Sequence, residues 1–586
     1  VKCLFIKRLD ETVQNLKYKL NVGYELNFDN SKTLRREGDW RMNMAYQPSY
    51  VSESSGRFDK PLVENTLTFD EKFGKHAINV MVGNSYQKET YNQISGEIQD
   101  ILQTSSGKYY DVMDAGTSLP QAGGYRNVAV LLSYLGRLNY TYDDKYLLTA
   151  TFRRDASSRV KKENRWGNFP SISAAWRISK ERFFAPVKWV DDLKVRASYG
   201  TLGSLNIGYW DYAPVINTFL TATFGTEQLQ QNAAIQTNLV NENLKWESQT
   251  QLDFGFDATA FNNRLTFSAD YYISKTKDVL TAMPILMTTG NGAGNPVVNA
   301  ASLENRGFEF SFGWREKRKD FSYYANLNFS TVKNKVTSLG YGRVDIISGQ
   351  GRTAVGRPIG EFYLIKTDGI FQNDGEIQSY KNSEGKVIQP DAKPGDIKYI
   401  DFNDDGKITD ADRQVLGSPH SLFQAGINMG FAWKNFDLKM NWFMDIGSDV
   451  FNATKQYMIG ADAAGNGDSN YLKNFNYWTP ERPTNIPRPI AGKITNRRDS
   501  DYWLENGSWV KLKTLSIGYT IPEKLLHKIH FNTCRVYVTC QNLLTISSFS
   551  MQDPEYRKDN IWNKGYRGVA AYPNPFAINF GVQFQF

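Results

Sequence analysis

The chain has 586 residues, a net charge of +8 and a mean hydropathy of −0.50. No stretch approaches the ~20 apolar residues of a transmembrane helix, and the basic residues are scattered among acids, which excludes a nucleic-acid stripe. Three cysteines, Cys3, Cys534 and Cys540, exclude a disulfide scaffold, and a count of only four histidines argues against a histidine metal centre. Aromatics nevertheless make up 14% of residues. A chain polar on average yet rich in aromatics is what a transmembrane β-barrel gives, because only every second strand residue faces lipid.

The opening "VKCLFIKRLD" lacks the apolar core and cleavage site of a signal peptide. This leaves a cytoplasmic protein or a chain that begins inside a longer one, and the barrel pattern favours the second. From Leu16 to Phe28, "LKYKLNVGYELNF" alternates strictly: Leu16, Tyr18, Leu20, Val22, Tyr24, Leu26 and Phe28 on one face, with Lys17, Lys19 and Glu25 on the other. Paired segments follow. Leu138–Phe152 folds back at Asp143-Asp144-Lys145, Leu252–Ile273 at Asn262-Asn263, the segment from Gly307 to Phe329 at a charged turn over Arg315–Asp320, and Ala425–Met444 at Lys434-Asn435. Each reads as a long β-hairpin with a tight polar turn. The stretches between them, Tyr86–Arg126, Gly203–Leu244, Val279–Glu304, Val336–Leu422 and Phe451–Gly507, read as long irregular loops, and no helix shows convincing periodicity. Short turns at one end and long loops at the other is the asymmetry of outer-membrane barrels. Cys534 and Cys540 share one face of one strand, too far apart to bridge. The end, "FAINFGVQFQF", puts Phe576, Ile578, Phe580, Val582, Phe584 and Phe586 on one face, as in a strand that a barrel closes against another.

Two groups of residues invite a functional reading. "DFNDDGKITDAD" fills the positions of a calcium loop: Asp401, Asn403 and Asp405, Gly406 at the sharp turn, the carbonyl of Lys407, Thr409 through water, and Asp412 where Glu is usual. The readings are a Ca²⁺ staple on an outer loop or an Asx-rich turn that bonds its own backbone; a calcium switch needs paired helices, and none flank it. The loop aromatics Tyr209, Trp210, Tyr477, Trp478 and Trp503 are candidates to stack on sugar rings, against the plainer role of girdle or loop packing. The polar strand faces carry Lys17, Lys19, Glu25, Arg137, Arg153, Lys194, Arg196, Asp270 and Lys439, expected to line a lumen. "GNGAGN", from Gly290 to Asn295, has no helix after it and is no phosphate cradle. Neither a nucleophile elbow nor HExxH occurs, so an enzyme is not expected.

Several stretches, in order, resemble one family, the SusC/RagA type of TonB-dependent outer-membrane transporter of Bacteroidetes. They are "FRRDASSRVKKENRWGNFPSISAAWRISKERFF" (Phe152–Phe184), "LKVRASYGTLGSLNIGYWDY" (Leu193–Tyr212), "NENLKWESQTQLDFGFDATAFNNRLTFSADYYISKTKDVL" (Asn241–Leu280), "SLENRGFEFSFGW" (Ser302–Trp314), "GDIKYIDFNDDGKITDADRQVLGSP" (Gly395–Pro419), "YWTPERPTNIPRP" (Tyr477–Pro489), "WLENGSWVKLKTLSIGYTIP" (Trp503–Pro522) and "RVYVTCQNLLTIS" (Arg535–Ser547). The expected fold is all-β, a large antiparallel transmembrane barrel over 1–586, with about 16–18 strands of an expected ~22 and no plug domain. Residues 395–419 form a calcium-loop-like insert. The resemblance implies import of oligosaccharides, or oligopeptides, with a SusD-like surface lipoprotein, energised by TonB–ExbB–ExbD through a region this chain lacks. A passive porin, or a secreted calcium-dependent all-β carbohydrate-binding protein or hydrolase, are the alternatives.

Overall fold

The computed structural model describes residues 2–9, 15–38, 47–226, 228–236, 239–283, 285, 295–459, 476–488, 495–526, 532–551, 553–555, 561–568 and 574–585. Most of "GNGAGN", and Phe586, lie outside them. The chain divides into two compact units: residues 1–177, 196–253 and 274–303, and residues 178–195, 254–273 and 304–586.

The first unit is built on an antiparallel meander: β1 (Lys2–Leu9), β2 (Leu16–Arg35), β3 (Tyr50–Phe73), β4 (His76–Gln99), β5 (Gln121–Tyr142), β6 (Tyr146–Ser157) and β7 (Trp166–Arg177), each paired with the next. The alternation read from the sequence sets the register. Leu16 stands opposite Phe69, Phe69 opposite Val80, Val80 opposite Leu138 and Leu138 opposite Ala150, so one apolar face runs across five strands. That face is open: Val22, Tyr24, Leu67, Phe69, Val82, Tyr86 and Phe152 are all at least 39% exposed. A water-soluble sheet does not leave such a surface uncovered, and a lipid-facing one does.

The turns explain themselves locally. Asp143 and Asp144 take φ of 53° and 54°, the left-handed region a two-residue hairpin turn requires and short Asx side chains tolerate. The turn closes by Lys145 N donating to the Tyr142 carbonyl at 3.0 Å, and Lys75 pairs with Asp143 at 3.0 Å. Beside these turns stand aromatic rings in sequence: Phe73 on His76 (5.3 Å), His76 by Tyr142 (4.9 Å), Tyr142 by Tyr146 (6.3 Å) and Tyr146 on Trp176 (6.4 Å). On the same face eight residues further along β5, Tyr134 stacks on Trp166 at 6.1 Å. Eight steps span about 27 Å along a strand. A barrel-like tilt reduces that to roughly 20 Å across the membrane, comparable to the ~25 Å apolar band of outer-membrane proteins. These are the two aromatic girdles of this unit.

Strands β8 (Val190–Ser204), β9 (Ile216–Phe224), β10 (Leu229–Gln236), β11 (Glu247–Ala260), β12 (Leu265–Ala282) and β13 (Val297–Arg318) follow. The second unit then repeats the meander. β14 (Phe321–Ser330) pairs with β13; after β15 (Lys333–Leu339) the chain leaves for a large insert and returns. The insert contains β16 (Asp345–Ser348), β17 (Gly351–Ala354), β18 (Glu361–Ile365), β19 (Thr367–Ile370), helix α1 (Asp374–Ser379), β20 (Ile397–Tyr399) and β21 (Arg413–Gly417). Strands β22 (Phe423–Trp433) and β23 (Phe436–Ile446) resume the ladder; β24 (Asp449–Asn452), α2 (Ala453–Ile459) and β25 (Leu504–Asn506) return to the insert. The ladder then continues through β26 (Trp509–Thr520), helix α3 (Glu523–Leu526), β27 (Thr533–Ser547), the short β28 (Tyr566–Arg567) and β29 (Ala577–Gln585). Phe576, Ile578, Phe580, Val582 and Phe584 keep one exposed face, Phe580 the most at 81%. Cys534 and Cys540 are both free thiols. No helix among the described residues is long and apolar enough to cross a membrane.

Several of the expected loops are strand. β4 runs on to Gln99 and β5 restarts at Gln121, β12 runs to Ala282 and β13 starts at Val297, and β13 continues to Arg318 through most of the expected charged turn. Gly203–Leu244 contains the β9–β10 hairpin. The reason is physical. β3 and β4 have 24 residues each, and about 10 suffice to cross a bilayer. Beyond the bilayer both faces meet water, so "QKETYNQISGEIQ" carries no alternation to read.

Candidate functional site

On the polar face of the first unit lies a cavity of about 790 Å³, lined from β4, β5, β6, β7, β8 and β11. It owes its charges to the period-two pattern of β6, where Thr151, Arg153, Asp155 and Ser157 all point the same way. Arg153 Nε donates to both oxygens of Asp155, at 2.8 and 2.9 Å, and Nη2 donates to Ser133 Oγ at 3.1 Å. Asp155 is only 8% exposed. Four residues on, Arg159 donates to Glu89 Oε2 at 2.8 Å and to the Ile207 carbonyl at 2.7 Å, while Lys60 approaches Glu89 at 3.7 Å. A buried charge is tolerated only when paired in this way. The cavity therefore offers fixed donors and acceptors in near-balanced charge pairs, with Gln87, Gln249, Gln251 and Ser171 adding neutral ones.

Its apolar wall is Phe169 and Trp246, edge to face at 5.4 Å, with Trp246 Nε1 donating to the Arg165 carbonyl at 2.9 Å. Phe169 lies flat on backbone: a Cβ at either Gly167 or Gly203 would overlap its ring. At the rim, the Arg159 guanidinium sits 4.7 Å over the Tyr209 ring. Burial, reinforced by the Glu89 charge and opposed by Arg159, pushes the Tyr209 hydroxyl up, so it stays neutral. Trp210 is 47% exposed and donates Nε1 to Asn127 Oδ1 at 2.8 Å.

The other predicted aromatics do not join this site. Trp503 is fully buried, donating to the Arg498 carbonyl at 3.1 Å, and Trp478 is 7% exposed, donating to Gln372 Oε1 at 2.8 Å. Both belong to the core of the second unit's insert, with Phe362, Leu364, Ile397, Tyr399, Phe451 and Ile459, and Tyr477 packs against it half-buried. A ring inside a core has no face for a sugar, so Trp478 and Trp503 are corrected from binding to packing residues.

In the loop 401–412, Asp401 accepts from the N–H of Asp405 (3.2 Å) and of Gly406 (2.7 Å), Asn403 Oδ1 from Asp405 N at 3.1 Å, and Asp405 Oδ1 from Lys407 N at 2.9 Å. Gly406 has φ 71°, where a Cβ is disfavoured. Thr409 and the fully buried Asp412 form a reciprocal cap: Thr409 Oγ1 accepts from Ala411 N at 3.2 Å, and Asp412 accepts from Thr409 N at 2.7 Å and Phe402 N at 3.0 Å. The oxygens of Asp401, Asn403 and Asp405 thus converge on one turn, while Thr409 and Asp412 are engaged in capping. Among the described residues, no group of three or more His, Cys, Asp or Glu is gathered as a metal cluster.

Residues 7–543 match the family model described as "TonB dependent receptor-like, beta-barrel". The chain belongs to the TonB-dependent receptor family. Within it the receptor is of the SusC/RagA type. It is 33% identical over 543 residues to TonB-dependent receptor P3 of Formosa agariphila, covering 90% of this chain and 52% of that one. It is 28% identical over 487 residues to TonB-dependent receptor SusC of Bacteroides thetaiotaomicron, covering 80% and 45%. In fold it resembles the structure of the RagAB peptide transporter, with a TM-score of 0.80 at 22% identity over 98% of this chain and 60% of that one. The receptor spans about half the length of the curated relatives it matches. The family is one of outer-membrane receptors, not enzymes.

Sequence reasoning placed Arg153 on the receptor's polar face but missed Glu89, Asp155, Arg159, Phe169 and Trp246. Asp155 was legible, two residues after Arg153 on the same face. Glu89 and Trp246 were not, because no local pattern brings positions 70 and 81 residues away to Arg159 and Arg165.

Proposed function

We propose that this receptor is the barrel portion of an active importer for oligosaccharides, or oligopeptides. In this reading a SusD-like surface lipoprotein delivers the cargo, and the TonB–ExbB–ExbD complex supplies energy through parts of the protein outside this chain. The observation that carries it is the cavity: charge-paired, hydrogen-bonding and walled by Phe169 and Trp246, on the polar face of membrane-crossing strands. Such a surface holds a polar cargo by many weak bonds and lets it go, as transport requires. The test is growth on defined glycans or peptides as sole carbon source, with the full-length gene deleted and restored. Loss of growth on one substrate class, restored by the wild type and not by Arg159→Gln, supports import through this cavity. Undiminished growth on every substrate overturns it, and uptake that persists without TonB favours a passive pore.

For the loop 401–412 we propose a turn closed by its own hydrogen bonds that takes Ca²⁺ as an added staple on Asp401, Asn403 and Asp405. A melting temperature of the full-length receptor that rises with Ca²⁺, and not in Asp405→Ala, supports this; no dependence on Ca²⁺ overturns it.

A further inference from the structure

In the cavity of the first unit, Arg153 and Arg159 are each matched by a carboxylate. A cavity of about 470 Å³ in the second unit is different. It lies at the short-turn end of β12, β13 and β14. Phe310 and Phe312 stand opposite Phe329 and Leu327 on the apolar side of the β13–β14 ladder. Gly313, Arg315 and Lys317 therefore take the polar side, opposite Asn326, Tyr324 and Ser322. Thr266 joins them from β12, two residues before Ser268, whose hydroxyl meets that of Ser311 at 2.8 Å. Gly313 is the floor: a Cβ there would overlap Thr266 Oγ1 and Asn326 Oδ1. Tyr324 lies over the bare backbone of Gly430, its partner on β22. Arg315 and Lys317 are exposed, and among the described residues neither is joined to a carboxylate. Glu316 borders the cavity from the other face, where Arg318 holds it at 3.0 Å and Tyr323 at 3.3 Å. Asp437, on the polar face of β23, is closed by Arg535 at 2.8 and 2.6 Å. Asp270 and Glu309 line a separate cavity further along the strands.

We propose that this cavity is a subsite for a carboxylate group carried by the cargo. The Arg315 guanidinium is a planar fork that matches a carboxylate with two parallel bonds, and Lys317 adds a point charge beside it. The hydroxyls of Thr266, Ser322 and Tyr324 and the amide of Asn326 supply neutral donors around the same space. A cleft lined by one sign of charge concentrates ions of the other sign. The paired cavity of the first unit holds polar cargo of any charge, whereas this one selects an acid. The carboxylate belongs either to a sugar acid or to an acidic peptide side chain. The inference rests on the import reading above and adds to it the charge of the cargo.

The full-length receptor, purified in detergent, is titrated by calorimetry at low ionic strength with two matched pairs. One is trigalacturonate and galactotriose; the other is triglutamate and triglutamine, both capped at their ends. In one pair the acid should bind roughly twentyfold more tightly than its neutral match, about fivefold for each accessible cation. Which pair shows the preference tells a sugar acid from a peptide. Arg315→Gln and Lys317→Gln should each lower the preference about fivefold. Gly313→Ala fills the floor without changing the charge and should lower it as well, which a diffuse field would not do. Heat-modifiable mobility on gels checks that each variant folds. Equal affinity within both pairs, or no binding of any of the four at millimolar concentration, overturns the inference, since the cations are then met from elsewhere in the full-length receptor. So does a preference that survives both charge substitutions. Growth of the deletion strain tests the import reading by itself, so the two fail separately.

Discussion

The two units build outside the membrane in opposite ways. The first raises β3, β4 and β5 straight out of the bilayer; at their top Val51, Ile98, Ile101 and Ala115 form a small core, with Tyr109 and Met113 against it. The second interrupts its ladder and folds an insert around eleven buried residues, from Phe362 to Trp503. The wall is held by backbone hydrogen bonds along continuous strands, the insert by side-chain burial. A wall of ladder bonds loses little when one side chain is cut. A small core loses much, because each large ring is a sizeable fraction of it.

Trp503→Ala should have the largest effect, removing about 3–5 kcal/mol from the insert. Limited proteolysis should then cut within 345–417 or 449–506, while heat-modifiable mobility stays that of a folded barrel. Melting of the whole receptor would break the contrast, since it would make the insert part of the barrel's stability. Next comes Arg488→Ala, which strips Asp396, only 4% exposed, of a two-armed partner at 2.7 and 3.0 Å. Asp396 also accepts from Asn496, and Asn496 accepts from Ile397 N, so Arg488 and Asn496 are both tied to the start of β20. Leaving that carboxylate without its cation costs about 3 kcal/mol, and hydrogen exchange at Ile397 should rise first. On the wall, Val51→Ala should cost no more than about 1–2 kcal/mol. A larger loss would show that the small apical core, not the ladder, holds the wall upright.

The smallest effect is that of pH. Burial alone would raise Glu505, but the Ser550 N–H and hydroxyl together with Lys455 outweigh it and hold the carboxyl below its ordinary range. A depressed native pKa stabilises the fold above the unfolded value, and that contribution is lost as pH falls through the native one. The insert should thus loosen below about pH 4, and Glu505→Gln should flatten the response. A loosening that sets in on raising the pH would contradict the assignment.

The period-two alternation of β2, β6, β22, β23 and β29 was enough to read a barrel, because lipid on one face and a polar interior on the other force opposite chemistry on successive residues. The tight turns at Asp143-Asp144 and Lys434-Asn435 were legible for the same local reason, a need for short polar residues in the left-handed region or just beside it. Strand length was not legible. Past the bilayer the two faces see the same solvent, so the top halves of β4 and β5 look like loop. Nor could sequence separate Trp210, exposed beside Asn127, from Trp503, sealed in a core, since both are loop tryptophans until the insert folds. Only the tertiary structure decided that Arg159 would meet Glu89, because a charge pair between distant segments depends on register and packing. Alternation determines which face a side chain takes; register and tertiary packing decide what it meets there.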